Sequence, residues 1–188
     1  MSTAEKIAES ALSLFYRQGY HATGVEQLSQ VAGVTKKTLY RHFPSKDLLV
    51  EAALQRRDAE FLARLQQALD AAPAEQRPQA YIEFIAAWAQ EADFNGCAFI
   101  NAAAEYAAPA ERPHVLAKAH KEALLARLVE VCTAAGLAQP VLAAHQLFLI
   151  GEGLTVACQV NGVQAPTLEA ARRMVAWLVA GAGTAAPA

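Results

Sequence analysis

The segment GVTKKTLYRHFPSK, residues 33–46, concentrates positive charge in a chain of 188 residues. It contains a histidine and no acid, together with the cations Lys36, Lys37, Arg41 and Lys46. The whole chain has a formal net charge of −2. Because the chain has no generally basic surface, attraction for an anionic polymer has to come from a local patch of this kind. The segment is therefore the place to look for a nucleic-acid contact.

The composition is that of a folded protein with a sizeable core, since apolar residues make up 54% of the chain and charged residues 18%. The N-terminal residues carry acids within their apolar pattern, which is not typical of a signal peptide. The apolar stretch at 140–160 predicts a buried or interfacial helix rather than a membrane span. Its polar residues are His145, Gln146, Glu152 and Gln159. We expect no membrane partner.

The three cysteines, Cys97, Cys132 and Cys158, are widely spaced and lie among small apolar residues. This pattern is typical of reduced, buried thiols and predicts a cytoplasmic protein, with a redox switch as the alternative. The cysteines and histidines are not at zinc-ligand spacing, so we expect neither a metal nor a cofactor.

Start and stop signals predict two helices before the basic segment. Ser2 with Glu5 forms a capping box, and Gly19 ends the helix that it opens. Thr23 with Glu26 predicts a second capping box and a second helix.

The basic segment predicts a third helix, and a long fourth helix follows it. Gly33 ends the second helix, Thr35 caps the third, and Pro44 stops the third at Phe43. Ser45 then caps the fourth helix. Its apolar stripe is Leu48, Leu49, Ala52, Phe61, Leu62, Leu65 and Leu69. The tight turn between the second and third helices is the helix-turn-helix pattern.

The remainder of the chain predicts alanine-rich helices and no strands, because period-two alternation is absent. We place these helices at about 78–93, 97–107, 112–135, 140–161 and 167–182. A stretch rich in Ala, Pro and Gln near 71–79 marks the boundary beyond which the predicted helices become long and alanine-rich. The tail GAGTAAPA, residues 181–188, is expected to fray. The fold class is therefore all-α.

A helix over residues 36–43 turns Leu39 and Phe43 inward with Val34. The outer faces keep Lys36, Lys37, Thr38, Tyr40 and Arg41. An α-helix fits the major groove of B-DNA, where Lys and Arg can bond guanine and a Thr methyl can touch thymine. The alternative is an ordinary surface helix that carries lysines.

The stretch GYHATGVEQLSQVAGVTKKTLYRHFPSKDLLVEAAL, residues 19–54, resembles the DNA-binding domain of TetR-family transcriptional regulators. The shared features are a glycine that ends the first helix, a threonine that opens the second, AGV in the turn, TLYRHF, and SK at the start of the fourth helix. The resemblance implies a homodimer on a near-palindromic operator in double-stranded DNA. It also implies domains at 1–47, which binds DNA, and at 48–188, a helical domain that binds a small effector and dimerises.

Carried over by position, the resemblance assigns two sets of DNA contacts. Base edges are assigned to Lys36, Lys37, Thr38 and Arg41. Phosphates are assigned to Thr23, Tyr40, His42 and Lys46. Lys37 and Arg41 depart from the residues common in the family, and Gly24 stands where Thr or Ser is frequent.

Apolar stripes on the last two predicted helices suggest the dimer seam, with packing inside one subunit as the alternative. The stripes are Leu142, Leu149 and Val156, then Leu168, Val175 and Leu178. Gly151, Gly153 and Ala157 are small enough to let helix backbones approach.

Aromatic and polar residues in the C-terminal part form a candidate effector pocket. They are Tyr81, Phe84, Trp88, Phe99, Asn101, Glu105, His120, His145 and Glu152. The alternative is that the aromatic stripes are ordinary core and that Glu152 pairs with His145.

The sequence therefore predicts a transcriptional regulator, most consistent with a repressor released by a small apolar or aromatic effector. An adaptor of the same fold, controlled by a protein partner, is the alternative. An enzyme is disfavoured, because the one Glu-x-x-His spacing, Glu111 to His114, encloses Pro113 and has no second copy.

Overall fold

The computed structural model describes residues 2–181, and in that range it contains α-helices and one short 3₁₀ turn but no strand. The helices are α1 Thr3–Gln18, α2 Val25–Val31, α3 Lys36–His42, α4 Lys46–Asp70, α5 Arg77–Trp88, α6 Ala98–Glu105, α7 Arg112–Ala134, α8 Pro140–Asn161 and α9 Ala165–Gly181. The predicted all-α fold class is confirmed. The expected fraying of the tail falls almost wholly outside the described residues.

The helices group into two compact units. The first unit comprises residues 2–61 with 97–120, and the second comprises 62–96 with 121–181. This grouping reflects which residues pack together. The boundary predicted at residue 47 instead separates a DNA-binding part from a part that binds effector and dimerises. That boundary stays a prediction.

In the first unit, most of the predicted helix ends are confirmed. Ser2 and Glu5 form the capping box of α1, and Gly19 ends α1 with a φ of 89°. The Thr35 hydroxyl accepts the Thr38 N–H at 3.1 Å, and the Ser45 hydroxyl accepts the Leu48 N–H at 3.2 Å. Helix α1 buries apolar residues that contribute to the core of this unit: Ile7, Ala8, Ala11, Leu12, Leu14 and Phe15.

The capping box predicted at Thr23 is wrong. The N-cap of α2 is Gly24, while the Thr23 hydroxyl donates to the Gly19 carbonyl at 2.6 Å and Thr23 is fully buried. The hydroxyl closes the turn after α1, so it is not available to cap α2. Leu48 also differs from its prediction, because it lies on the exposed side of α4.

In the second unit, α5 packs against α8 and α9, and α8 packs against α9. Helix α5 ends at Trp88, earlier than predicted, because the N–H groups of Gln90 and Glu91 bond three residues back and tighten the chain into a turn. Gly151 permits the close approach of α8 to α5. A Cβ at this position would lie 2.7 Å from Tyr81 Cε1.

Within residues 2–181, Pro140–Asn161 is the one helix that meets the length and hydropathy of a membrane span, and 39% of its most apolar window is buried. Its Glu152 forms an ion pair with Lys121 of α7 at 2.6 Å. This pair supports the interpretation of α8 as a helix of a folded bundle.

Candidate nucleic-acid interface

Helices α2 and α3 form a helix-turn-helix within the first unit. The turn reverses at Gly33, whose φ is 65°, and the Val34 N–H bonds the Ser29 carbonyl at 2.9 Å. Leu28 and Leu39 are buried and face the core of the unit. This packing fixes which sides of α3 reach solvent.

The exposed sides of α3 carry the predicted cations and one aromatic side chain. Lys36, Lys37 and Arg41 are exposed, and Tyr40 is 45% exposed. Thr38 is half-buried, with its hydroxyl 3.0 Å from the Thr35 hydroxyl. Lys37 and Arg41 form no hydrogen bond or ion pair with any other residue in the described range 2–181, so their charges are available to a ligand.

Lys36 is paired with Glu26, an acid that the sequence predicted only as part of a helix cap. Its ammonium group forms a short ion pair with Glu26, in the first turn of α2. A hydrogen bond from Lys36 and its positive charge lower the pKa of the Glu26 carboxyl. The basic segment therefore faces solvent with part of its charge already neutralised. The signal was the acid itself, ten residues before Lys36, which the sequence interpretation used only as a cap.

The predicted phosphate contacts differ in their surroundings. Tyr40 is exposed and His42 is half-buried. The Lys46 ammonium group donates to the His21 carbonyl at 3.2 Å. Thr23 is fully buried, so it presents neither its side chain nor its N–H at the surface of this unit. We therefore leave Thr23 out of the contact set that we propose.

The residues predicted to form an effector pocket are divided between the units. Phe99, Asn101, Glu105 and His120 lie in the first unit. Tyr81, Phe84, Trp88, His145 and Glu152 lie in the second unit. The pairing of Glu152 with His145, an alternative from the sequence, is wrong: Glu152 pairs with Lys121, and His145 is exposed.

Several of these residues have identified partners inside their own unit. The His120 ring stacks on Phe99 with centroids 3.7 Å apart, and its Nδ1 lies 2.6 Å from Asp58 Oδ1. Trp88 is buried and meets Phe94 edge-on at 5.0 Å. Glu105 bonds the backbone of the turn after α1, which the sequence interpretation missed because 84 residues separate Glu105 from His21.

The predicted dimer residues differ in exposure, and Leu178 is half-buried. Leu149 is 68% exposed, and Leu142 and Val156 are also exposed, whereas Leu168 and Val175 are buried within the second unit. These two therefore pack inside the subunit. On α9 the large exposed apolar residues are instead Met174 and Trp177, the latter 69% exposed.

We call Leu142, Leu149, Val156, Met174 and Trp177 the apolar face. Three of these residues, Leu149, Met174 and Trp177, line a surface groove of about 420 Å³ between α8 and α9. It is lined by Gln146, Leu149, Ile150, Met174, Trp177 and Leu178. The spacing of Met174, Trp177 and Leu178 was a helical signal that could have identified this side of α9.

Comparison with known proteins gives the same assignment at the level of sequence. The family described as "Bacterial regulatory proteins, tetR family" matches residues 7–53. The regulator TcmR of Streptomyces glaucescens is 37% identical over 76 residues, which are 40% of this chain and 32% of TcmR. The activator FasR of Mycolicibacterium smegmatis is 42% identical over 60 residues, 32% of this chain and 27% of FasR. The matched segments thus span about a third or less of these curated relatives.

Solved structures extend the likeness over the whole chain. SCO4454, a TetR-family transcriptional regulator from Streptomyces coelicolor, superposes with a TM-score of 0.88 at 29% identity, covering 98% of both chains. Reduced NemR of E. coli has a TM-score of 0.82 at 21% identity, covers 92% of this chain and 94% of its own, and shares the fold.

The helix-turn-helix on an all-helical fold defines a DNA-binding transcriptional regulator. The resemblance to TetR-family transcriptional regulators that the sequence predicted is confirmed by the family match over residues 7–53 and by the likeness to SCO4454. The same comparisons confirm a regulator rather than an enzyme.

Proposed function

We propose that this protein is a cytoplasmic homodimer that binds a palindromic operator and represses transcription until a small apolar or aromatic effector releases it. The observation that carries the DNA-binding part is the state of Lys37 and Arg41. Both are exposed on α3 of a helix-turn-helix, and neither is paired within the described residues 2–181. Unpaired cations on a helix of this kind suit the major groove.

The proposed DNA contacts are those of the sequence prediction without Thr23. Lys36, Lys37, Thr38 and Arg41 face bases in the proposed complex. Tyr40, His42 and Lys46 hold phosphates and fix the register. Residues 1–47 would act as the DNA-binding part and residues 48–188 as the part that responds to effector and dimerises.

A second copy of the chain is the proposed occupant of the apolar face. One helix-turn-helix reads few base pairs, and regulators of this architecture pair two of them at about 34–36 Å, one helical turn of DNA. The exposure of Leu149 and Trp177 supports this pairing, because large apolar side chains side by side at a surface are typical of an interface.

The effector is proposed to be apolar or aromatic because aromatic side chains are numerous among the candidate pocket residues. If it binds a dimer conformation with wrongly spaced recognition helices, it must weaken operator binding by the factor by which the operator weakens effector binding. Since FasR is named an activator, the sign of regulation requires its own measurement.

Selection of bound duplexes from a random pool, at about 0.15 M salt, tests the proposal. We would compare wild type with Lys37→Ala/Arg41→Ala and with Arg127→Ala/Arg173→Ala. The control double variant removes the same charge from exposed pairs within α7 and α9. Wild type and the control should enrich one palindrome, while the α3 variant should lose or relax it.

The salt dependence of operator binding gives a second check. Unpaired Lys37 and Arg41 supply four cations per dimer, and Lys36 and Lys46 raise this to eight if their internal partners are displaced. If all eight cations neutralised phosphates, the slope of log affinity against log salt would be about −7. Because Lys36, Lys37 and Arg41 are proposed to face bases, we expect a shallower slope. Equal, sequence-independent binding by all three proteins would contradict the proposed operator reading.

A further inference from the structure

We propose that Glu105, the last residue of α6, is a positioning residue that holds the helix-turn-helix in its DNA-binding arrangement. It does so by binding the backbone of the turn that leads from α1 into α2. The inference rests on the proposed function, since operator affinity is its functional readout. Every contact that carries it lies within the first unit.

The turn after α1 determines where α2 begins. Gly19 has a φ of 89°, a left-handed conformation that favours glycine. The Thr23 hydroxyl closes the turn on the Gly19 carbonyl at 2.6 Å. Gly24 follows immediately and is the N-cap of α2, without a side chain to fix the helix start by itself. The position of α2 therefore depends on what holds residues 19–23.

The Glu105 carboxylate holds this turn with both of its oxygens. The Tyr20 N–H donates to Oε1 at 2.9 Å, and the His21 N–H donates to Oε2 at 2.6 Å. His21 Nδ1 also lies 3.1 Å from Oε2. Burial acts to raise the pKa of Glu105, but the N–H groups of His21 and Tyr20 and the His21 ring lower it by more, so its pKa lies below the usual range. The group is therefore a carboxylate at neutral pH, and its bonds are charge-assisted.

The other end of α6 is fastened to the same turn. The buried Tyr20 hydroxyl donates to the carbonyl of Ala98, the first residue of α6, at 3.0 Å. Tyr20 thus contacts both ends of an eight-residue helix. From the other side, Lys46 at the start of α4 donates to the His21 carbonyl.

Through these contacts, both ends of α6 are hydrogen-bonded to the turn that leads into α2. A shift of α6 along its axis has to break the two carboxylate bonds or carry the turn with it, because the N–H donors are fixed in the backbone. A charged acceptor that holds two backbone donors contributes more than a neutral one, so its removal should loosen the turn while leaving the apolar core intact.

The test compares Glu105→Gln with Glu111→Gln. Glu111 is a matched control in the same unit, since it also accepts a backbone N–H, from Ala108 at 3.1 Å, but only three residues away. Operator affinity is measured on the duplex that wild type selects, and amide hydrogen exchange is followed at Tyr20 and His21. We expect Glu105→Gln to weaken operator binding by about tenfold and to speed exchange at these two amides by a similar factor. Glu111→Gln should remain within about twofold of wild type for both measurements.

Reciprocity supplies a measurement on the unaltered protein. If the carboxylate contacts favour operator binding, the operator must favour the contacts, so added operator should slow exchange at Tyr20 and His21. This measurement decides the matter if Glu105→Gln fails to fold. Unchanged exchange on operator binding, or a folded Glu105→Gln that binds as tightly as wild type, would overturn the inference. If wild type selects no duplex at all, the proposed function fails, and this inference fails with it.

Discussion

Glu26 and Lys36 show how a single acid alters the charge that a helix-turn-helix presents. Both side chains are largely exposed, and their ion pair joins the first turn of α2 to the first residue of α3. Lys36 must leave this carboxylate, or share it, before it neutralises a phosphate or bonds a base. In the proposed complex, Glu26 therefore opposes DNA binding by competing with the DNA for Lys36.

Replacing Glu26 with Gln should strengthen operator binding and steepen its salt dependence. Each released Lys36 that neutralises a phosphate adds about 0.9 to the slope, so a dimer gains up to about 2. Affinity measured across a salt series, on the selected duplex, checks this. Glu130→Gln, which removes a carboxylate from an exposed pair on α7, controls for net charge. Unchanged or weaker binding by Glu26→Gln would show that the acid serves another purpose.

For single residues, the sequence predicted those roles that depend on hydrogen bonds to neighbours in the chain. Thr35 and Ser45 cap the helices that directly follow them, and such bonds span three residues. Thr23 also has a hydroxyl that could cap a helix. However, this hydroxyl donates to the Gly19 carbonyl, four residues earlier in the chain. Glu105 was assigned to the effector pocket, and its bonds to the turn after α1 could not be predicted, because the donors are distant in sequence and are backbone groups that almost every residue possesses.

Among the elements, α8 places two glycines in contrasting surroundings. Gly151 lies against Tyr81 of α5, whereas a Cβ at Gly153 would meet no atom within 4 Å. The first glycine is required by packing between helices of one subunit, whereas the second is not required by any contact that the structure describes within the subunit.

The substitution Gly151→Ala should lower the free energy of unfolding by about 1–3 kcal/mol, because the added methyl overpacks the contact between α8 and α5. Gly153→Ala should raise it by up to about 1 kcal/mol, because alanine favours the helix. Urea unfolding at one protein concentration measures both. Equal effects of the two substitutions would contradict the packing described for α5 and α8.

An ion pair between α5 and α9 predicts an acid-dependent contribution to stability. Arg172 Nε and Nη2 bond the Glu83 carboxylate at 2.7 and 2.8 Å. The bond from Arg172 lowers the pKa of Glu83 against the opposing effect of burial. Because the folded pKa is lowered, the pair stabilises the protein above the unfolded pKa of about 4.3, and this contribution is lost as the pH falls through the folded value.

Thermal unfolding of wild type and Glu83→Gln from pH 7 to pH 3 should show this loss. The difference in Tm should be greatest near neutral pH and should shrink below about pH 4. A difference that stays constant across this range would mean that Glu83 stabilises the second unit by packing alone.

The elements themselves were predictable because helix ends have local signals. Gly19, Gly33 and Pro44 stop helices through backbone geometry, and the bounds of α3, α7 and α8 follow closely. The extra residues assigned to α5 reflect a turn of three-residue hydrogen bonds, which resembles helix in composition. Burial was less predictable. An apolar stripe that contains Leu168 and Val175 fits either a dimer interface or the core of one subunit, and only the packing of neighbouring helices distinguishes these two environments.

At the scale of the whole molecule, the apolar face is the feature that a single subunit leaves unsatisfied. An acid at its centre should prevent a second copy from binding there, since a charge buried in an apolar interface is costly. We expect Leu149→Asp to shift the protein from dimer to monomer and to weaken operator binding. Light scattering during size-exclusion chromatography measures the first effect, and a duplex titration measures the second.

Val115→Asp is the matched control, because Val115 is an exposed valine on α7 within the first unit. It should remain dimeric and bind the operator. A Leu149→Asp protein that is still dimeric would show that the subunits associate through a different surface.

The two tryptophans of the chain differ in their access to solvent. Trp88 is enclosed beside Phe94, while Trp177 stands 69% exposed on the apolar face. Indole emission moves to shorter wavelength in apolar surroundings, so Trp177 acts as a built-in optical reporter against the constant background of Trp88. Diluting the unlabelled protein through its association range should shift the emission to the red and open Trp177 to iodide quenching, so that self-association can be read by light alone.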